Sequence, residues 1–304
     1  MEEERSNKVA PPPFNDAHAD IILRSSDYVD FHVYRIILTH ASQVFRDMFA
    51  VPQPAGGRDA GAPVIEMAED AASLVVMLRC CYPGLAPTIT STAEAVQILR
   101  WADKFGLDGV AERVGREFEE FGEIESKPVE AFALACQYRW RGVAVRAAKA
   151  SLKLSADELI EQQADAALSA ITGKEYQVLF QYHRSCRVVC RDLTRYTAWI
   201  PRDINCFDKH AHTTCGDTKK MGGVSFARWW CVYMQDMGHE FMQEGPATVR
   251  TMGYHLQAAI RGMGTSSCCA CKSVKMCLNF VRFAQWLQLE IDAAIDSVAL
   301  QLPF

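Results

Sequence analysis

The chain has 304 residues, enough for two domains, since single domains usually run to roughly 100–200 residues. Hydrophobic residues make up 49% of it and charged residues 23%, which is the composition of a packed globular protein rather than a disordered one. The formal net charge is only −5 and no run of Lys and Arg stands out, so the composition argues against nucleic acid as a partner.

The first residues are acidic and then proline-rich, and they lack the basic, apolar and small-residue regions of a signal peptide. No apolar run approaches the roughly 20 residues that cross a bilayer. We therefore expect an intracellular protein, cytoplasmic or nuclear, that does not act on membranes. Its twelve cysteines are expected to be mostly reduced in such a compartment.

The N-terminal third predicts a small sheet followed by helices. Residues 1–16 have the composition of a disordered tail. The runs Asp20–Ser25 and Val29–Tyr34 are rich in β-branched and aromatic residues and flank a polar turn, which predicts a hairpin. Residues 35–50 have apolar side chains at helical spacing, and Ser42 is a candidate N-cap for the second half of that segment.

The next segment begins with a Gly- and Pro-rich loop over residues 52–63 and a short strand candidate after it. Three helices are predicted over Ala71–Tyr82, Thr92–Phe105 and Asp108–Phe121. From residue 123 to 304 the patterns become almost wholly helical. The exception is an irregular stretch rich in Cys and His at about 200–230, which we interpret as loop.

The last predicted helix spans residues 278–300 and has a wide apolar face. Such a face is typical of a helix docked in a core, and a partner-binding helix is the alternative. Leu278, Val281 and Leu289 are counted in the apolar face.

Residues 17–122 resemble the BTB (POZ) domain. The N-terminal part of the family's sequence pattern has an Asp before a hairpin, followed by a basic residue, Leu, Ser and Phe at fixed spacing. The corresponding residues here are Asp20, Arg35, Leu38, Ser42 and Phe45. Further on, "LRCCYPG" and "ILRWADKFGLDGV" resemble later helices of the family. The loop at 52–63 and the helical tail are similar to a BTB subgroup of mushroom-type (basidiomycete) fungi.

The resemblance implies an α+β fold, in which a short β-sheet flanked by α-helices precedes a mostly α-helical C-terminal region. The expected domains are residues 17–122 and 123–304. The family implies a non-enzymatic interaction module that forms homodimers or recruits another BTB-like chain. In many members an Asp and a basic residue form a charged pair in the dimer groove, which here would be Asp20 and Arg35, with His32 and Tyr34 beside them. Leu38, Phe45 and Phe49 are expected in the core.

The family also offers a more specific alternative, the substrate adaptor of a cullin-type ubiquitin ligase. Members of that class carry a hydrophobic-x-acid motif before the "Ala-Asp-Lys" helix. The nearest match places Thr92 and Glu94 at the contact with a cullin scaffold, but Thr92 replaces the apolar anchor.

No combination of residues predicts catalysis. Ser42, His40 and Asp47 are the residue types of a catalytic triad, but a Ser that caps a helix needs no further explanation. The segment "MGHEFMQE" begins like a zinc-protease motif and has Gln243 where the second His is required.

We expect no cofactor and no metal. The alternative is a zinc-stabilised regulatory protein, because zinc takes four Cys or His ligands, commonly as two close pairs. The candidates are Cys206, His210, His212, Cys215, Cys268, Cys271 and Cys277. Small buried thiols that only fill space explain the same residues.

Overall fold

The structure is a computed structural model in which the chain divides into two compact units, residues 1–123 and 124–304. The boundary expected from the sequence lay between residues 122 and 123. The structure describes residues 8–51, 62–120, 123–161, 172–200, 218–221, 223–246, 253–266, 268 and 270–304.

The first unit, residues 1–123, contains a four-stranded sheet in the order β1-β3-β2-β4 and the helices that follow its strands. The strands and helices are β1 (Lys8–Val9), β2 (Ile21–Arg24), β3 (Val29–Val33), α1 (Arg35–Ala41), α2 (Gln43–Ala50), β4 (Val64–Glu66), α3 (Ala71–Cys81), α4 (Thr92–Phe105) and α5 (Val110–Glu119). A short helix, α6 (Glu123–Ser126), follows at the boundary. The predicted α+β fold with a short sheet is confirmed.

The predicted hairpin is present, because β2 and β3 pair antiparallel with Ile21 opposite Val33 and Arg24 opposite Asp30. The alternation of the strands sends Ile21, Leu23, Phe31 and Val33 into the core, each at most 1% exposed. β4 then pairs in parallel with β2, which places the strand after the Gly- and Pro-rich segment at one edge of the sheet. Residues 52–61 of that predicted loop lie outside the described residues.

The prediction of a disordered tail over residues 1–16 is wrong for residues 8–16. β1 pairs in parallel with β3, the peptide N–H of Ala10 donates to the carbonyl of Asp30 across 2.9 Å, and Phe14 is 2% exposed. The Phe14 ring packs edge-on against Tyr82 at 5.4 Å between centroids. The sequence missed this strand because parallel pairing with a strand further along the chain leaves no local pattern.

The break between α1 and α2 occurs at Ser42, as its residue type predicted. Its hydroxyl oxygen accepts from the peptide N–H of Phe45 across 3.0 Å, and its O–H donates to the carbonyl of Phe105 across 2.5 Å. Ser42 therefore caps α2 and ties it to the C-terminal end of α4. Leu38 and Phe45 are fully buried and Phe49 is 9% exposed, as expected for core residues.

The second unit, residues 124–304, is mostly helical in its described part. Its further helices and strands are α7 (Pro128–Gln137), α8 (Arg141–Ser151), α9 (Ala156–Glu161), α10 (Gly173–Arg195), β5 (Thr218–Met221), β6 (Val224–Ala227), α11 (Arg228–Gln243), α12 (Gly253–Thr265) and α13 (Val274–Asp296). α10 starts with a capping box, in which Thr172 and Glu175 satisfy each other's backbone amides.

The predicted loop at about 200–230 is wrong over its last part. Residues 218–227 form the antiparallel hairpin of β5 and β6, and α11 begins at Arg228. In β6, Phe226 is buried and stacks on Trp230 at 4.6 Å between ring centroids. Residues 201–217 lie outside the described residues.

The final helix α13 is docked along one face and exposed along another. Phe280, Phe283, Leu287, Ile291 and Ile295 are at most 1% exposed. Leu278 and Leu289, counted with the apolar face from the sequence, are 60% and 66% exposed, and Val281 is 37% exposed. The apolar width seen in the sequence therefore exceeds the face that packs.

Within the part of the chain that the structure describes, none of the helices combines the length and the apolar character needed to cross a membrane.

Candidate protein interaction surface

Asp20 and Arg35 meet at the start of α1, but not as the side-chain ion pair that the resemblance implied. The Asp20 carboxylate accepts from the backbone N–H of Arg35 across 2.7 Å. The Arg35 guanidinium instead lies over the ring of Phe49, 5.1 Å from its centroid. Asp20 thus satisfies an amide in the first turn of α1, where the N-cap residue Tyr34 offers no side-chain cap.

Tyr34 and His32 hold the segment before β2 against the end of β3. The Tyr34 hydroxyl donates to Asp16 across 2.5 Å, and the Tyr34 peptide N–H donates to the hydroxyl of Tyr82 across 3.0 Å. The hydrogen bond to Asp16 raises the pKa of Tyr34 and lowers the pKa of the Asp16 carboxyl. His32 bridges to Asn15, and its peptide N–H donates to the carbonyl of Phe14.

These four residues therefore lie around the junction between β3 and α1. Directly beside Arg35 the chain places Ile36, whose side chain is 75% exposed. We call Asp20, His32, Tyr34, Arg35 and Ile36 the junction surface. An interface usually has an apolar centre and a polar rim, and Ile36 with these polar neighbours would provide both on a small scale.

Ile36 was not among the residues selected from the sequence. Its neighbour Leu38 is fully buried, so the residues of α1 do not all serve the core. The available signal was a large aliphatic side chain outside the helical i, i+3, i+4 spacing of the buried face.

A second feature missed from the sequence is the ion pair of Arg24 and Asp30 on neighbouring strands. Arg24 Nε and Nη2 donate to the two carboxylate oxygens of Asp30 across 2.7 and 3.0 Å. The hydrogen bond with Asp30 raises the pKa of Arg24. This bidentate pair joins the two strands near the turn of the hairpin and favours its observed register.

Thr92 and Glu94, the candidates for a cullin contact, are both engaged within the chain. Thr92 is 2% exposed, and its N–H and hydroxyl donate to one Glu123 oxygen across 2.7 and 2.5 Å. Glu94 is exposed, and its carboxylate accepts from the N–H and hydroxyl of Thr90. Those bonds hold the pKa of Glu94 below its usual range. The Thr92 side chain is therefore buried rather than presented at the surface, and a cullin contact at Thr92 and Glu94 stays a prediction.

The candidate zinc ligands fall into two groups. Cys206, His210, His212 and Cys215 lie outside the described residues. Cys268 and Cys271 are buried and Cys277 is partly exposed. Among the described residues, the structure places no three His, Cys, Asp or Glu side chains where they could hold one metal ion.

Comparison with known proteins bears directly on the first unit. Residues 13–121 match the family model described as the BTB/POZ domain. The chain therefore contains a BTB/POZ domain, a module of protein–protein interaction, and the resemblance stated from the sequence is confirmed at that level. A search of curated proteins found no match to the chain.

Proposed function

We propose that the chain is a non-enzymatic interaction protein that assembles through the junction surface, with a second copy of itself as the partner and another BTB-like chain as the alternative. The observation that carries this proposal is the exposed side chain of Ile36 beside the polar groups at the β3–α1 junction. Burying Ile36 in an interface would remove apolar surface from water at about 25 cal/mol per Å².

The local structure supports such a role because polar groups at the junction already have hydrogen-bond partners within the chain. Asp20, Tyr34 and Tyr82 each take part in a hydrogen bond at the start of α1. A surface whose side chains are already fixed loses less conformational entropy on binding, which leaves more of the interaction energy as affinity.

The proposal includes no cofactor and no metal, and elemental analysis of the purified protein tests that part. It also includes membership of the fungal BTB subgroup that the loop at 52–63 and the helical tail resemble. An alignment of many fungal sequences would test it.

The experiment is sedimentation equilibrium of the full chain over a wide concentration range, comparing Ile36→Asp with the wild type. A charge at an apolar interface centre should weaken the dimer by at least about tenfold, or about 1.4 kcal/mol. Val274→Asp is the matched control. Val274 is also 75% exposed and also lies in the first turn of a helix, α13, in the second unit.

A wild-type chain that stays monomeric at every concentration would exclude homodimerisation. Equal dimer strength in Ile36→Asp and Val274→Asp would exclude the junction surface. Asp20→Asn then tests whether the charge of Asp20 matters for assembly apart from its hydrogen bond. The amide keeps an oxygen that accepts from the Arg35 N–H and removes only the charge.

A further inference from the structure

Four arginines of the second unit lie along one face of α10. Successive members are three or four residues apart, so at about 100° per residue the four positions fall within an arc of about 80°. At a rise of about 1.5 Å per residue, the row is about 16 Å long. We call these residues the arginine row: Arg184, Arg187, Arg191 and Arg195.

The arginine row borders a groove between α10 and α11. The two helices touch at Gly238, where an added Cβ would collide with the hydroxyl oxygen of Thr194. They are joined again where Nη1 of Arg187 donates to the carbonyl of Met242 across 3.3 Å. The two contacts pair later residues of one helix with earlier residues of the other, so α10 and α11 run antiparallel.

Two cavities lie along this groove, with volumes of about 450 and 170 Å³. Arg191 and Arg195 line the larger cavity, Arg184 and Arg187 line the smaller one, and Met242 lines both. Neither cavity has an Asp or a Glu among its described lining residues. The lining of the groove is therefore cationic along its whole length.

Carboxylates of the chain compensate little of this charge. Among the described residues, Asp192 is the one carboxylate that forms an ion pair with the arginine row. It accepts from Nε and Nη2 of Arg191 across 3.1 and 2.8 Å. Arg184 and Arg195, at the two ends of the row, are exposed. A ligand with several negative charges would therefore find partners along the row.

The opposite side of the groove contributes hydrogen-bonding groups and a further cation. Gln235 and His239 of α11 line the larger cavity. The ammonium group of Lys219, in β5, donates to the side-chain oxygen of Gln235 across 2.8 Å. Positive charge therefore reaches the larger cavity from β5 as well as from α10.

The length and spacing of the arginine row narrow the class of ligand. A single phosphate group is too small to meet a row about 16 Å long. In an extended peptide, alternate side chains project to the same side about 6.6 Å apart, close to the rise of about 4.5–6 Å between successive arginines. Acidic residues at alternate positions could thus each face one guanidinium, which pairs well with carboxylates.

A single strand of nucleic acid is the other extended polyanion to consider. Sites for such strands usually combine a basic groove with aromatic rings on which bases stack. The larger cavity has no aromatic side chain among its described lining residues, and the chain carries a formal net charge of −5. Both observations favour an acidic peptide.

We propose that the groove between α10 and α11 binds an extended acidic segment of a partner protein, with Asp or Glu at alternate positions facing the arginine row. This surface lies within the second unit and is independent of assembly through the junction surface. It gives the helical region a binding role of its own.

Fluorescence anisotropy of the full chain with a fluorescein-labelled octapeptide of alternating Glu and Thr tests the proposal. The comparison peptide has Gln in place of every Glu, so that only the negative charge differs. We expect saturable binding of the Glu peptide at low salt and binding of the Gln peptide that is weaker by at least about tenfold. Raising the salt concentration should weaken the Glu peptide's binding, because exposed ion pairs are screened.

Two double variants assign the binding to the groove. Arg184→Gln combined with Arg195→Gln should weaken the Glu peptide by about three- to tenfold, the effect of two exposed ion pairs. Arg261→Gln combined with Arg282→Gln is the matched control, since it removes the same charge at exposed positions of α12 and α13. The control should bind as the wild type does, and circular dichroism checks that both variants are folded.

The absence of saturable binding of the Glu peptide at millimolar concentrations would overturn the proposal. Equal weakening in the two double variants would show a general effect of net charge and would exclude the groove. The third arm is a labelled oligothymidylate of eight nucleotides. If it bound more tightly than the Glu peptide and were weakened by the same substitutions, the partner would be a nucleic acid and the assignment to an acidic peptide would be wrong.

Discussion

Two buried hydroxyls, one in each unit, have opposite hydrogen-bonding environments. In the first unit Ser42 is fully buried and has two partners, the N–H of Phe45 and the carbonyl of Phe105. In the second unit Tyr233 is buried, and its hydroxyl has no hydrogen-bond partner in the described part of the chain.

Burial alone therefore does not determine what a polar group contributes to stability. A satisfied hydroxyl fixes the relation between two helices and should be costly to delete. An unsatisfied hydroxyl lowers stability, so the chain should become more stable when it is deleted. The three variants below test this comparison, beginning with the largest expected effect.

The satisfied kind of buried polar group also occurs in the second unit. Ser151 is fully buried and its hydroxyl donates to the carbonyl of Ala148 across 2.8 Å. Because the hydroxyl has a single hydrogen, its oxygen must accept from Nε2–H of His183, 2.8 Å away. Burial, with a smaller effect of the nearby Arg187 charge, lowers the pKa of His183 to about 4.

His183 should therefore make the second unit sensitive to mild acid. The unfolded chain has a His pKa of about 6.5 and binds the proton first, so stability is intact above that pH and is lost as pH falls towards 4. The loss attributable to His183 should reach about 2 kcal/mol at pH 5 and about 3 kcal/mol at pH 4.

Urea denaturation followed by tryptophan fluorescence at several pH values measures that loss. Five of the six Trp residues belong to the second unit, so the signal reports mainly on that unit. His183→Gln should be less stable at neutral pH and should lose less stability towards pH 5 than the wild type does. His40→Gln, at an exposed position of α1, is the control. Equal pH dependence in His183→Gln and wild type would contradict the prediction.

Ser42→Ala should destabilise the first unit by about 2 kcal/mol, because it removes a helix cap and leaves the Phe45 N–H and the Phe105 carbonyl without their partner. Thermal and urea unfolding monitored by circular dichroism would show it. Thr39→Ala in α1 is the control, since the Thr39 hydroxyl bonds only to the carbonyl of Ile36 three residues earlier, and a change below about 0.5 kcal/mol is expected. A Ser42→Ala variant as stable as this control would be incompatible with a structural role for the two bonds.

Local signals explain what the sequence predicted well. The hairpin of β2 and β3, the cap at Ser42 and helix α4 depend on residues close together in the chain, and each was anticipated. The observed α4, Thr92–Phe105, has the same bounds as the prediction.

Nonlocal contacts explain the misses. Residues 8–16 are ordered by pairing with β3, and no local pattern records that pairing. The resemblance implied a charged side-chain pair of Asp20 and Arg35. In the structure Asp20 accepts from the Arg35 N–H, and the Arg35 guanidinium lies over the ring of Phe49, fourteen positions further along the chain. The unsatisfied hydroxyl of Tyr233 depends on what α12 and α13 place around it, and a sequence does not show that a partner is missing.

The smallest expected effect is also the one with the opposite sign. Tyr233→Phe should raise the stability of the second unit by about 1 kcal/mol, because it removes a buried hydroxyl that has no described partner and leaves the ring packed edge-on against Phe280 at 4.9 Å. The measurement is urea denaturation followed by tryptophan fluorescence. Tyr182→Phe is the matched comparison, since Tyr182 is also buried and its hydroxyl interacts with Cys186, so this variant should lose stability. If Tyr233→Phe lost stability to the same extent, the Tyr233 hydroxyl would have a partner inside the chain, and the contrast with Ser42 would disappear.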